Sequence, residues 1–251
     1  MQNTFYAVST GPGGSKFLTL EAVEVLKNCK TIFYPLTKAD SKNHIAFDTI
    51  NEVKNLFDLD SDSTFDSKRF ESLVFSMTKN QKVRQNEYDE AQNKILEALK
   101  DGNCAFVSIG DVSIYSTSAR ISKMIETHGV KIEFVSGVTS FCAAAATAKI
   151  ELSLPDEEIR IIPGDKYFSE GKIDEVLGAE GTKVFMKSAR FLKEILKKVK
   201  NASLLENSTL VRDAGQPNEL LVCGSELLGL SDDFFKDSYM SILIVKGRGN
   251  A

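Results

Sequence analysis

TFYAVSTGPGGSKFLTLEAVEVLKN, residues 4–28, decides the fold. Its first seven residues are rich in β-branched and aromatic side chains, which suit a buried strand. They run straight into Gly11, Pro12, Gly13 and Gly14, a breaker cluster that forces a loop. Thr19 can then cap a helix in which Leu20, Val23 and Leu26 return at helical spacing. Strand, glycine loop and helix open an α/β fold. In such folds ligands gather beyond the carboxyl ends of the strands, where glycine allows close backbone approach and helix N-termini offer unpaired N–H groups.

Outward from this segment the alternation continues. TIFYPL, residues 31–36, predicts a strand stopped by Pro35, which cannot donate to a ladder. Residues 37–66 are polar and aspartate-rich around a weak strand at 53–59. From Asn80 to Lys100, Tyr88, Ala91, Ile95 and Leu99 mark one face of a long helix that Asp101-Gly102 ends. CAFVSIG, residues 104–110, reads as a strand covered on both faces. A helix at 116–127, a strand at 131–136 and a small-residue helix at 141–149 follow. From residue 158 the pattern changes: EIRIIP, TKVFMK, ASLLE, STLVRD, ELLVCG and YMSILIVKG predict mostly short strands, with one clear helix at 191–200. The expectation is two α/β domains, 1–114 with a mostly parallel sheet and 115–251 with a mixed one.

Whole-chain properties narrow the function. With 251 residues, 42% hydrophobic and 26% charged, the chain can bury ordinary cores without disulfide or metal staples. A net charge of -4 weighs against a general nucleic-acid binder, which needs a positive field. Cys29, Cys104, Cys142 and Cys223 show no paired spacing; three of them lie among apolar or small residues and read as buried, reduced thiols. No signal peptide and no apolar run of bilayer length is visible, so the expectation is a soluble protein of the cytoplasm, with no membrane partner and no metal. The two histidines, His44 and His128, read as surface residues.

Three segments could carry chemistry. The Gly11–Gly14 loop matches neither a Walker loop nor the dinucleotide fingerprint, and alone it reads as readily as a tight turn. SIGDVSIYST, residues 108–117, sets Asp111 at a strand end beside Tyr115; a capping role is as natural as a ligand contact. VSGVTSFCAAAA, residues 135–146, puts Gly137, Thr139 and Ser140 at a helix start, where hydroxyls cap or meet a polar ligand. No Ser-His-Asp constellation is present.

In their order and spacing, these segments together resemble the tetrapyrrole methylase family, and the resemblance covers nearly the whole chain. GDVSIYSTSARI, VSGVTSFCAAAA and the closing YMSILIVKG are most similar to the members that methylate carbon 20 of precorrin-2 or cobalt-factor II. The resemblance implies two α/β domains with an inter-domain ligand cleft, a homodimer, S-adenosyl-L-methionine as methyl donor and a tetrapyrrole acceptor. It implies that Pro12, Gly110, Asp111, Val112, Ile114, Tyr115, Thr139 and Ser140 line the donor, with Met186, Ala214, Gly215, Met240 and Ser241 from the second half. Two positions depart from the family pattern: Gly14 stands where an aspartate is usual, and Val112 where proline is usual.

Methyl transfer from a sulfonium to an electron-rich meso carbon needs alignment above all, and alignment can supply roughly 7–11 kcal/mol of the barrier. A base for the displaced proton could be Asp111, Tyr115 or Asp213. Lys187, Arg190 and Arg212 are the candidate grips for substrate carboxylates, whereas Lys193, Lys197, Lys198 and Lys200 read as a solvated helix face. Rival readings keep the fold and change the acceptor to another corrin position, uroporphyrinogen, a modified protein histidine or ribosomal RNA. A nucleotide-binding oxidoreductase or a ligand sensor on a similar frame is the alternative from a different class.

Overall fold

The computed structural model describes residues 3–37, 45–57 and 67–247, and divides into two compact units, 1–139 and 140–251. The first holds β1 (Thr4–Ser9), α1 (Leu20–Asn28), β2 (Thr31–Leu36), α2 (Ile45–Phe57), β3 (Arg69–Val74), α3 (Gln81–Ala98), β4 (Cys104–Ser108), α4 (Thr117–Glu126) and β5 (Lys131–Val135). Its strands form one sheet in the order β3-β2-β4-β1-β5, and every pair is parallel. Parallel strands need helical crossovers that cover both faces. Accordingly Phe5, Phe33 and Phe106 lie in one core with Ile95 and Ile121, while Val8, Ile32 and Val107 lie in another with Leu26 and Ile50. Thr19 caps α1 by accepting from Ala22 N–H at 3.1 Å, and Asn80 caps α3.

The second unit holds α5 (Ser140–Ala148), β6 (Ile159–Pro163), α6 (Gly164–Ser169), α7 (Ile173–Gly178), β7 (Thr182–Met186), α8 (Leu192–Asn201), β8 (Ser208–Arg212), β9 (Leu220–Cys223), α9 (Asp232–Lys236) and β10 (Ser241–Val245). Its sheet runs β6-β7-β10-β8-β9, with β6 and β7 parallel and the other pairs antiparallel. The core gathers Phe185, Leu196, Leu210 and Leu243. Lys183 is wholly buried in β7 and folds its ammonium back onto the carbonyls of Ala179 and Gly181.

Several expectations change. The first unit extends to residue 139 rather than 114, because β5 completes the first sheet beside β1. Pro35 lies inside β2 and does not stop it: pairing to β4 ends at Phe33, so only the β3 side carries a ladder there and a missing donor is tolerated. Residues 53–57 continue α2 instead of opening the strand expected at 53–59, whose last two residues lie outside the described residues, and ASLLE yields only a 3-10 turn at Leu205–Asn207. Three short helices, α6, α7 and α9, punctuate the strand-rich half. Cys29 and Cys104 are buried, but Cys142 and Cys223 are exposed. Burial pushes both buried thiols up to about 12. His128 is exposed, and its ring meets the Gln92 amide at 2.7 Å; His44 lies outside the described residues. None of the described helices is long and apolar enough to cross a membrane.

Candidate functional site

In the first unit, the carboxyl ends of β1, β4 and β5 are drawn together by hydrogen bonds. Gly11 and Gly110 exchange both of their backbone bonds, Gly110 N–H to Gly11 O at 2.7 Å and Gly11 N–H to Gly110 O at 3.2 Å. Both residues have positive φ, 72° and 77°, where glycine is strongly preferred. Ser9 is fully buried and serves two strands: its hydroxyl donates to Val135 O at 2.7 Å and accepts from Val112 N–H at 3.0 Å. Gly137 comes so close that a Cβ there would fall 2.4 Å from Ser9 Cβ and 3.1 Å from Gly110 O.

Asp111 completes the arrangement. Its Oδ2 accepts from Gly137 N–H at 2.8 Å, and its Oδ1 accepts from Ser113 N–H at 2.8 Å and from the Ser113 hydroxyl. Burial works to raise its pKa, but the donors from Ser113 and Gly137 outweigh burial and hold the carboxyl below the usual range. A carboxylate so stabilised is a weak base; Asp111 ties the β4 loop to the β5 loop. Pro12 and Val112 are buried beside it, Ile114 is half-buried, and Tyr115 is exposed with a φ of 50°. Thr139 and Ser140 stand half-buried at the turn into α5.

The second unit has a comparable edge. Because β10 is antiparallel to both β7 and β8, the ends of β7 and β8 share one edge with the start of β10. Met186, Lys187, Arg190, Arg212, Asp213, Ala214, Gly215, Met240 and Ser241 all lie on or beside it, with Ser241 paired to Arg212 and Asp213 N–H bonded to Met240 O at 3.3 Å. Asp165, which the sequence reading passed over, accepts from Phe191 N–H at 3.1 Å and Arg190 N–H at 3.3 Å, fixing the loop that carries Lys187 and Arg190. Its preceding residue explains how the loops meet: a Cβ on Gly164 would lie 2.2 Å from the Ser188 hydroxyl.

The cations on this edge differ. Arg212 packs its guanidinium over the Phe234 ring at 4.9 Å and sets Nε 3.3 Å from Asp213 Oδ2, in a hollow that Asp233 and Asp237 also line. Its charge is answered by the protein itself. Burial raises the Asp213 pKa, Arg212 lowers it and Asp237 raises it further. Asp213 also accepts from the Asn218 amide at 2.7 Å. Lys187 and Arg190 are exposed and form no ion pair among the described residues. Lys187 is hemmed in enough for desolvation to lower its pKa. Lys187 and Asp213 join Tyr115 among the five non-glycine residues with positive φ in the described part of the chain, a conformation that clusters at ligand sites.

Comparison with known proteins adds to this geometry. The family model described as tetrapyrrole (corrin/porphyrin) methylases matches residues 4–226. The chain is 34% identical over 241 residues to a protein of Methanocaldococcus jannaschii named probable cobalt-precorrin-2 C(20)-methyltransferase, covering 96% of this chain and 95% of that one. It is 24% identical over 247 residues to the cobalt-precorrin-2 C(20)-methyltransferase of Salmonella typhimurium, covering 98% of each. Its fold is similar to the X-ray structure of a cobalt precorrin-4 methyltransferase, with a TM-score of 0.70 at 20% identity over 97% of this chain and 94% of that one.

Proposed function

We infer that this chain, which belongs to the tetrapyrrole methylase family, methylates the C-20 meso carbon of precorrin-2 or its cobalt-bearing counterpart during cobalamin biosynthesis. The family takes its methyl group from S-adenosyl-L-methionine. The observation that carries the reading is the knot of strand ends formed by Ser9, Gly11, Gly110, Asp111 and Gly137. It gathers three glycines at the carboxyl edge of a parallel sheet, where ligands bind, and leaves open space on the Cβ side of Gly110. The names of the two C-20 methyltransferases support the choice of acceptor.

The bound donor supplies an electrophilic methyl group. In the first unit, Pro12, Gly110, Asp111, Val112, Ile114, Tyr115 and Thr139 are the proposed donor contacts, joined by Ser140, the first residue of the second unit. Asp111 acts there by holding its loop rather than by touching the methyl group. In the second unit, Met186, Ala214, Gly215, Met240 and Ser241 remain the contacts that the resemblance implies. Lys187 and Arg190 are proposed to receive the acceptor's carboxylates, since Arg212 is already engaged by Asp213 and Phe234. Alignment of the reacting atoms is the chain's main contribution. The reading also carries a cytoplasmic homodimer, on the strength of the resemblance. Titration calorimetry tests the donor assignment: S-adenosylhomocysteine should bind at one site per chain and NAD should not. Binding of NAD alone would favour the oxidoreductase reading.

A further inference from the structure

The opening loop is chemically bare, because Gly11, Pro12, Gly13 and Gly14 bring no ionisable side chain to the end of β1. A carboxylate reaches it from another element. Glu52, on α2, accepts from Ser15 N–H through Oε2 at 2.9 Å, at the start of the 3-10 turn Ser15–Phe17. That turn is folded tightly onto the loop, since a Cβ on Gly11 would lie 2.4 Å from Phe17 Cβ. The Glu52 side chain is exposed, and Ser15 is its sole hydrogen-bond partner among the described residues. One carboxylate oxygen therefore stays available beside the loop. Asp111, the other carboxylate at this edge, is occupied by three donors.

Resting on the function proposed above, we propose that Glu52 is the proton acceptor of the methyl transfer. The meso carbon carries hydrogen before it carries methyl, so the reaction must release one proton. As the S–CH3 bond breaks, its electron pair returns to sulfur, and an electron pair of the ring forms the new C–CH3 bond. The C–H bond then returns its pair to the ring, and the proton passes to the free oxygen of Glu52 and on to water. Ser15 N–H holds the other oxygen and keeps the carboxylate turned toward the loop.

Glu52→Gln tests this, because the amide oxygen can still accept from Ser15 N–H but the side chain can no longer take up a proton. In steady-state assays with precorrin-2 and cobalt-factor II, kcat should fall about 100-fold, the usual scale for loss of a positioned base. The affinity for S-adenosylhomocysteine by calorimetry should stay unchanged. An unaltered kcat overturns the proposal. So does a parallel loss of kcat and of S-adenosylhomocysteine affinity, which would show that Glu52 only shapes the loop. The unaltered chain, assayed alongside, decides the acceptor reading by itself, so its failure is told apart from a failure of Glu52.

Discussion

Ser9 and Asp111 do at single-residue scale what the glycine loops cannot do alone. Each glycine gives up side-chain packing to gain backbone freedom, so the loops need external ties. Ser9 supplies two through one hydroxyl, and Asp111 supplies three through one carboxylate. Ser9→Ala leaves the Val112 N–H and the Val135 carbonyl to find new partners, and should cost about 1–3 kcal/mol in urea unfolding. Asp111→Asn keeps the shape and removes the charge, and its effect should depend on pH in a defined sense. The folded carboxyl is held below its unfolded value. Its contribution is then complete above the ordinary aspartate pKa of ~3.9 and disappears as the pH falls through the lower folded value. The stability gap between the unaltered chain and Asp111→Asn should thus be constant near neutrality and close in acid. A gap that widened on acidification would contradict this role.

Between elements, the controlling feature is how closely the β5 loop approaches the end of β1. Gly137→Ala inserts a Cβ 2.4 Å from Ser9 Cβ and must push these elements apart. Overpacking of this kind costs about 1–3 kcal/mol. S-adenosylhomocysteine affinity should fall with the displacement, as calorimetry would show. Gly178→Ala, at the end of α7 with nothing within 4 Å of the new Cβ, is the control and should leave both quantities near their starting values. Much of this level was legible in the sequence. Thr19 announced its helix because capping is a local bond, the apolar face of Tyr88, Ala91, Ile95 and Leu99 announced α3, and Gly110-Asp111 announced the end of β4. The end of helix α2 was misread as part of a strand at 53–59, although Ala46, Thr49 and Ile50 just before it are buried at helical spacing. The short helices α6 and α7 have no side-chain cap and stayed invisible. Ser9 and Glu52 could not be found either, since their partners lie 126 and 37 residues away in the chain.

At the scale of the whole molecule, a chain of net charge -4 is expected to take a substrate studded with carboxylates, so cations must be concentrated where that substrate lands. The second unit offers Lys187 and Arg190 on an exposed loop fixed by Asp165. Arg190→Ala should raise the acceptor KM by roughly 10-fold or more, the worth of a charge-assisted contact, and leave S-adenosylhomocysteine affinity intact. The same change in Arg212 should disturb folding more than binding, because Asp213 and Phe234 would lose their partner. The two-sheet α/β class could be read from the change of pattern near residue 158. The end of the first unit could not, because β5 joins its sheet through pairing that no local signal reveals. The most direct measurement is NMR location of the transferred carbon after incubating the chain with methyl-13C S-adenosylmethionine and either metal-free precorrin-2 or cobalt-factor II. The label should appear at C-20 of one of them. Label at a different ring position, or none on either acceptor, would contradict the account.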